Sequence, residues 1–219
     1  MRILIVAATE TEIAPLLERM ISLPTGDLSV DLYSRGSHEI DVLITGIGMV
    51  ATAAWCSRAL AQTPYDLALN LGVCGSFDSF IEPGTVVHVV KDRIAELGAE
   101  DGDAFRTIEE LQLPGQAEFV NFDPPSNSGI EQLPSVTGIT VNTVHGNERS
   151  IALVTGRFNP QVESMEGAAF MSTCLIHKVP FAQVRAVSNL VERRNRESWK
   201  MAEAIHNLAV AALRIVDQP

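Results

Sequence analysis

The run Ile3-Leu4-Ile5-Val6-Ala7-Ala8, followed directly by Thr9-Glu10-Thr11-Glu12-Ile13, decides the fold class. Six apolar residues without alternation read as a strand buried on both faces. Such a strand needs helices above and below its sheet. Thr9 stands as an N-cap with Glu12 three residues on, the spacing of a capping box. Ile13, Leu16, Leu17 and Met20 then fall on one face of a helix. The chain therefore opens as strand, tight turn, helix, with two glutamates at the turn.

Working outward, residues 29–35 and 39–45 form a hairpin-like pair that ends at Gly46-Ile47-Gly48. A small-residue helix follows over 50–62, then a second buried strand over 66–72 that runs into Val73-Cys74-Gly75-Ser76. A strand is expected over 84–90. Residues 95–135, with Pro114, Pro124, Pro125 and Pro134, are the least regular part and read as surface loops, a partner contact or a lid. Strands over 138–144, 161–164 and 181–188 and helices over 148–155, 166–177 and 197–216 complete the pattern. Alternating strands and helices make this a three-layer α/β/α sandwich; the hairpin makes its central sheet mixed. No repeat or linker divides the chain, so residues 1–219 are expected to form a single domain.

Sixteen basic and 27 acidic side chains leave a net charge of −11, the wrong sign for a general nucleic-acid or anionic-membrane binder. No apolar run reaches the roughly 18 residues of a membrane span. Glu10 and Glu12 come straight after the first apolar run, so the start does not read as a secretory signal. Cys56, Cys74 and Cys174 show no metal-ligand spacing and read as reduced, buried thiols of a cytoplasmic protein. No metal and no organic cofactor is called for.

Four expected strand ends finish in small or polar residues: 8–12, 46–48, 72–75 and 188–189. Ligands of open α/β sheets bind at such carboxyl ends. Glycines at these turns also serve tight packing, and Glu12 also suits the positive end of a helix dipole. In Val162-Glu163-Ser164-Met165-Glu166-Gly167-Ala168-Ala169, Glu166 stands where strand becomes helix, among neighbours too small to shield it.

These pieces carry a resemblance. ATETEI at 8–13, TGIGMV at 45–50, NLGVCGS at 70–76, ESMEGAA at 163–169 and VPFAQVRAVSN at 179–189 resemble, in order and from end to end, the nucleoside phosphorylase/nucleosidase superfamily. The hydrolases related to methylthioadenosine/S-adenosylhomocysteine nucleosidase are the nearer branch. The resemblance implies that Glu12 activates the attacking water. It sets Met165 and Glu166 against the ribose. Ile47 and the backbone of Val73, Cys74 and Gly75 would line sugar and base, and Ser188–Asn189 would close the purine-binding strand. It also implies a homodimer, or a multiple of one, acting on a small nucleoside.

Two departures bear on the substrate. The adenine-specific nucleosidases carry an aspartate where this chain has Asn189. An amide is not an acid, but it can donate to a ring nitrogen and a 6-oxo group while accepting from a ring N–H. That suits a 6-oxopurine. In the first loop, Glu10 and Glu12 would repel the phosphate that a phosphorylase needs, so water is the expected nucleophile. Together with LGAEDGD at 97–103, TVNTV at 140–144 and RRNRESW at 193–199, this resembles the futalosine hydrolases of the menaquinone pathway. A phosphate-dependent purine nucleoside phosphorylase and a methylthioadenosine or aminodeoxyfutalosine nucleosidase are the rivals. Arg193, Arg194 and Arg196 could fork onto the carboxylate of futalosine's tail, or cap and solvate the last helix. His145, just past a strand end, is a pocket or a surface histidine.

Overall fold

The opening run faces two ways at once. In the computed structural model of the chain, which describes residues 1–24 and 30–218, Ile3, Ile5 and Ala7 of β1 (Arg2–Ala7) enter one core and Leu4 and Val6 another. Successive side chains of a strand point to opposite faces, so a run with no alternation fills both. Each fully buried Ile or Leu in it contributes about 1.5–3 kcal/mol.

The elements that follow are α1 (Glu10–Leu17), β2 (Ile21–Leu23), β3 (Asp31–Arg35), β4 (His38–Ile44), α2 (Met49–Gln62), β5 (Leu67–Ser76), β6 (Val86–Ile94), β7 (Gly98–Asp101), β8 (Ala104–Thr107), β9 (Glu118–Val120), α3 (Ser128–Glu131), β10 (Ser135–Thr140), α4 (Glu148–Phe158), β11 (Val162–Ser164), α5 (Gly167–His177), β12 (Phe181–Leu190) and α6 (Met201–Asp217). Side chains of α1, α3 and α6 fill the first core; those of α2 and α5 fill the second. The three layers expected from the sequence are these two helical layers and the sheet between them.

The sheet order is β11-β10-β6-β12-β5-β1-β4-β3-β2, with β9 against β6. It is mixed: β4, β1, β5 and β12 run parallel, and β12 meets β6 antiparallel. One pairing goes beyond the sequence reading. β11 also returns antiparallel to β5, setting Glu163 opposite Gly75, so that β5, β11, β10, β6 and β12 close a ring.

Several expected boundaries move. β10 covers 135–140 rather than 138–144, because Asn142 leaves the sheet to donate from N and Nδ2 to Glu96 Oε2 (3.1 and 3.0 Å). Val144 and His145 therefore lie on a loop. The last helix begins at Met201, not 197; a 3-10 turn, Arg196–Ser198, precedes it, with Asn195 Oδ1 accepting from Glu197 N. Lys200 N donates to Ser188 O (2.8 Å) and pins this segment to β12. The irregular region holds the β7–β8 hairpin, β9 and α3. Of the expected hairpin strand at 29–35, Ser29 lies outside the described residues. Among the described residues no helix is long and apolar enough to cross a membrane, and no group of His, Cys, Asp and Glu is placed to hold a metal ion.

Candidate active site

The carboxyl ends of β1, β5, β11 and β12 surround a cavity of about 300 Å³. Glu12, Ile47, Val73, Cys74 and Gly75 line one part of it, and Met165, Glu166 and Ser188 another. Eight residues from distant parts of the sequence thus meet in one space.

Glu12 arrives at the N3 position of α1. Its Oε2 accepts from Thr9 N (3.0 Å) and Thr9 Oγ1 (3.1 Å), the glutamate half of the capping box. Its Oε1 accepts from Val73 N on β5 (3.0 Å). Capping and cavity lining are therefore performed by one carboxylate. Glu10 does not join it. Two residues apart on a helix is about 200° of rotation, and Glu10 is exposed and off the cavity. The local acidity expected of both glutamates comes instead from Glu12, Glu163 and Glu166, and among the described residues no cationic side chain lines the cavity.

Glu166 is the N-cap residue of α5 but does not cap it. The first amides of α5 are served by others: Gly167 N donates to Ser164 Oγ (3.3 Å) and Ala168 N to Thr140 Oγ1 (2.7 Å). The Glu166 carboxylate is left free to accept from Gly48 N (3.1 Å) and to pair with Arg185 Nη1 (3.5 Å). Gly46 and Gly48 have φ of +82° and +100° with nothing within 4 Å of an added Cβ. Conformation rather than packing space requires glycine there.

Beneath the cavity lies a polar layer that sequence reasoning did not find. Arg185 is 1% exposed and also donates to Asn70 Oδ1. A Cβ at Gly72 would run into its Nη1, so that glycine is a matter of close approach. Asp92 is fully buried and accepts from Gln183 Nε2 (3.0 Å) and Thr140 Oγ1 (2.9 Å); burial pushes its pKa up to about 6. The available signal was a polar residue in an otherwise apolar strand: Asn70 in LALNLGV, Gln183 and Arg185 in FAQVRAV.

A niche of about 90 Å³ adjoins the cavity, sharing Gly75, Val144 and Glu163 with it. Asn189 lines this niche rather than the cavity, with His145, Arg194 and Trp199. The register of β12 against β5 slips between Val187 and Asn189. Ser188 is the extra residue, its Oγ 3.1 Å from Cys74 O and 2.8 Å from Asn189 Oδ1. Such slips re-aim side chains beside sites. Asn189 Nδ2 donates to Leu190 O (2.8 Å), which leaves its second N–H and one lone pair of Oδ1 available. His145 is held by Glu163, through N to Oε1 (3.0 Å) and Nδ1 to Oε2 (2.6 Å). Cys74 is buried, its thiol pushed up to about 12, so it lines the cavity as an inert side chain.

The arginine cluster divides. Arg194 reaches the niche and lies over the Trp199 ring, 5.4 Å from its centroid. Arg193 lines a separate surface depression with Glu148 and Ile151. Arg196 is exposed and lines neither cavity nor niche. Arg193 and Arg194 lie on irregular chain and Arg196 opens the 3-10 turn, so the three do not share one face of a regular element.

Residues 2–217 match the family model described as the phosphorylase superfamily. The chain belongs to the phosphorylase superfamily. It is 31% identical over 179 residues to futalosine hydrolase of Thermus thermophilus, covering 80% of each chain. It is 32% identical over 222 residues to futalosine hydrolase of Acidothermus cellulolyticus, covering 95% of this chain and 87% of that one. Among solved structures, futalosine hydrolase of Helicobacter pylori superposes with a TM-score of 0.83 at 18% identity, over 99% of this chain and 97% of that one, a likeness of fold. Within the superfamily it is an N-glycosyl hydrolase, a nucleosidase. This agrees with a cavity lined by the carboxylates of Glu12, Glu163 and Glu166.

Proposed function

We propose that the chain hydrolyses the N-glycosidic bond of futalosine, releasing hypoxanthine and dehypoxanthine futalosine in menaquinone biosynthesis. The observation that carries the substrate class is Asn189, an amide and not an acid, beside a cavity that holds Glu12 and Glu166. The sugar gains oxocarbenium character as the purine leaves. Glu166 accepts from the ribose hydroxyls, with Met165 against the sugar. Glu12 takes a proton from the attacking water, general-base work of about 10²–10⁴-fold. Asn189 stabilises charge gathering on a 6-oxopurine, a task worth about 3–4 kcal/mol per donor. The futalosine hydrolase relatives at 31–32% identity support this reading.

Residues 1–219 act as one catalytic domain in this reading, in the cytoplasm, where three unpaired buried thiols are at home. A second copy of the chain is part of it too. Ile47 lines the cavity yet is 63% exposed, and Val50 and Trp55 of α2 are exposed nearby in sequence. Sedimentation of the purified chain checks this: a dimer or a multiple is expected, and a monomer at micromolar concentration overturns it.

The functional test is direct. Purified protein is incubated with futalosine, inosine and methylthioadenosine, with and without phosphate, and free base is followed by chromatography. Hypoxanthine release from futalosine, independent of phosphate, is expected. Strict phosphate dependence, or adenine release alone, overturns the reading.

A further inference from the structure

The proposed reaction leaves one need unmet. A purine leaves C1′ readily only when N7 gains a proton, and Asn189 has none to give. At the niche, the Glu163–His145 pair is equipped to do so. His145 Nδ1 sits 2.6 Å from Glu163 Oε2, and the same carboxylate takes the His145 backbone N–H at 3.0 Å. Glu163 is 3% exposed, fixed on β11 by its pairing opposite Gly75. The ring is also set edge-on to Phe77, with centroids 6.0 Å apart. Its Nε2 has no hydrogen-bond partner among the described residues. The ring lines the same niche as Asn189, and Glu163 lines both niche and cavity. A carboxylate that orients one imidazole nitrogen and leaves the other free is the arrangement of a proton-transfer pair.

We propose that His145 is the catalytic acid for the departing purine and that Glu163 is its positioning residue. The inference rests on the nucleosidase reading above. As the C1′–N9 bond breaks, its electron pair passes into the purine. The imidazolium gives its Nε2 proton to N7, and the neutral ring keeps Nδ1–H on the Glu163 carboxylate. Water bonds to C1′ and its proton goes to Glu12; solvent returns that proton to His145 as the base departs. Asn189 then reads the 6-oxopurine while His145 supplies the proton.

Futalosine methylated at N7 carries its positive charge permanently and needs no acid. The test compares hydrolysis of futalosine and N7-methylfutalosine by wild type, His145→Gln and Glu163→Gln, following free base by chromatography. On futalosine, His145→Gln is expected to lower kcat by about 10²–10⁴-fold with KM little changed, and Glu163→Gln by at least about tenfold. On the methylated substrate both variants should stay within about fivefold of wild type, since general-acid catalysis is no longer used. Because the two substrates are compared on the same protein sample, partial misfolding cancels. Equal losses on both substrates overturn the assignment while the functional reading stands. Absence of hypoxanthine release from futalosine by wild type brings down the functional reading, and this assignment with it.

Discussion

The wide cavity and the small niche beside it are built from different kinds of backbone. Two of the cavity's three carboxylates stand at helix N-termini. Glu12 occupies the first turn of α1 and Glu166 the N-cap of α5, each accepting from a backbone N–H of another segment. The niche is built from departures from regular structure. Asn189 follows a register slip, His145 sits where β10 has left the sheet, and Glu163 is placed by the ring-closing pairing of β11 with β5. Regular elements give the cavity rigidity; irregular ones bring polar side chains together where an ideal sheet would hold them apart.

The largest expected effect separates the two regions by function. Glu12→Gln should cut kcat by about 10²–10⁴-fold, with futalosine binding within a few-fold of wild type by calorimetry. Near-normal turnover would remove Glu12 from the base role. Next comes the support under the cavity. Arg185→Met breaks a buried pair and leaves Glu166 facing no cation. A loss of about 3–5 kcal/mol in denaturant unfolding is expected. A variant as stable as wild type would show that the cavity does not depend on its polar floor.

Asp92 gives a pH-dependent contrast. Its pKa is raised to about 6 by burial, from 3.8. The folded state therefore holds this proton more tightly than the unfolded one. The corresponding stability is complete below about pH 4 and is lost as pH rises through 6, a swing of up to about 3 kcal/mol. His88, lowered to about 4 by burial, acts in the opposite sense: its contribution is complete above 6.5 and lost as pH falls through 4. The wild type should therefore vary little between pH 4 and 6.5. Asp92→Asn removes one of the opposed contributions, and its Nδ2 can meet the unpartnered Gln183 Oε1 after that amide turns. Its stability in urea should fall on going from pH 6.5 to 4; a flat profile would contradict the opposition.

The smallest expected effects concern the rim of the niche. Arg194→Ala should raise KM for futalosine a few-fold and leave inosine unaffected. Arg193→Ala and Arg196→Ala should change neither by more than about twofold, as surface substitutions do. Equal effects from all three would restore the cluster as one tail-binding unit.

Much of the cavity was legible in the sequence. Thr9 and Glu12 stand at capping-box spacing, Gly46 and Gly48 mark a sharp turn, and Glu166 precedes small residues. Each is a local signal, because helix starts and turns depend on neighbouring backbone. The niche was legible only in part. Asn189 was visible as a type of side chain, but its setting depends on a slip between strands more than a hundred residues apart. Glu163 lay in a quoted motif without a role, since its partner His145 is 18 residues away across a ring closure.

The sequence by itself determined the layered α/β class, the two-faced burial of β1, and the carboxylates at two helix starts. These follow from side-chain period and from local hydrogen bonding, which act within a few residues. Only the tertiary structure decided that Glu12 and not Glu10 faces the cavity, that Arg194 and not its neighbours reaches the niche, and that Glu163 holds His145. Those outcomes hang on the bond from Val73 N of β5 to Glu12, on the path of the chain beyond β12, and on a sheet that curls until β11 meets β5. They are relations between segments distant along the chain, and long-range pairing fixes them.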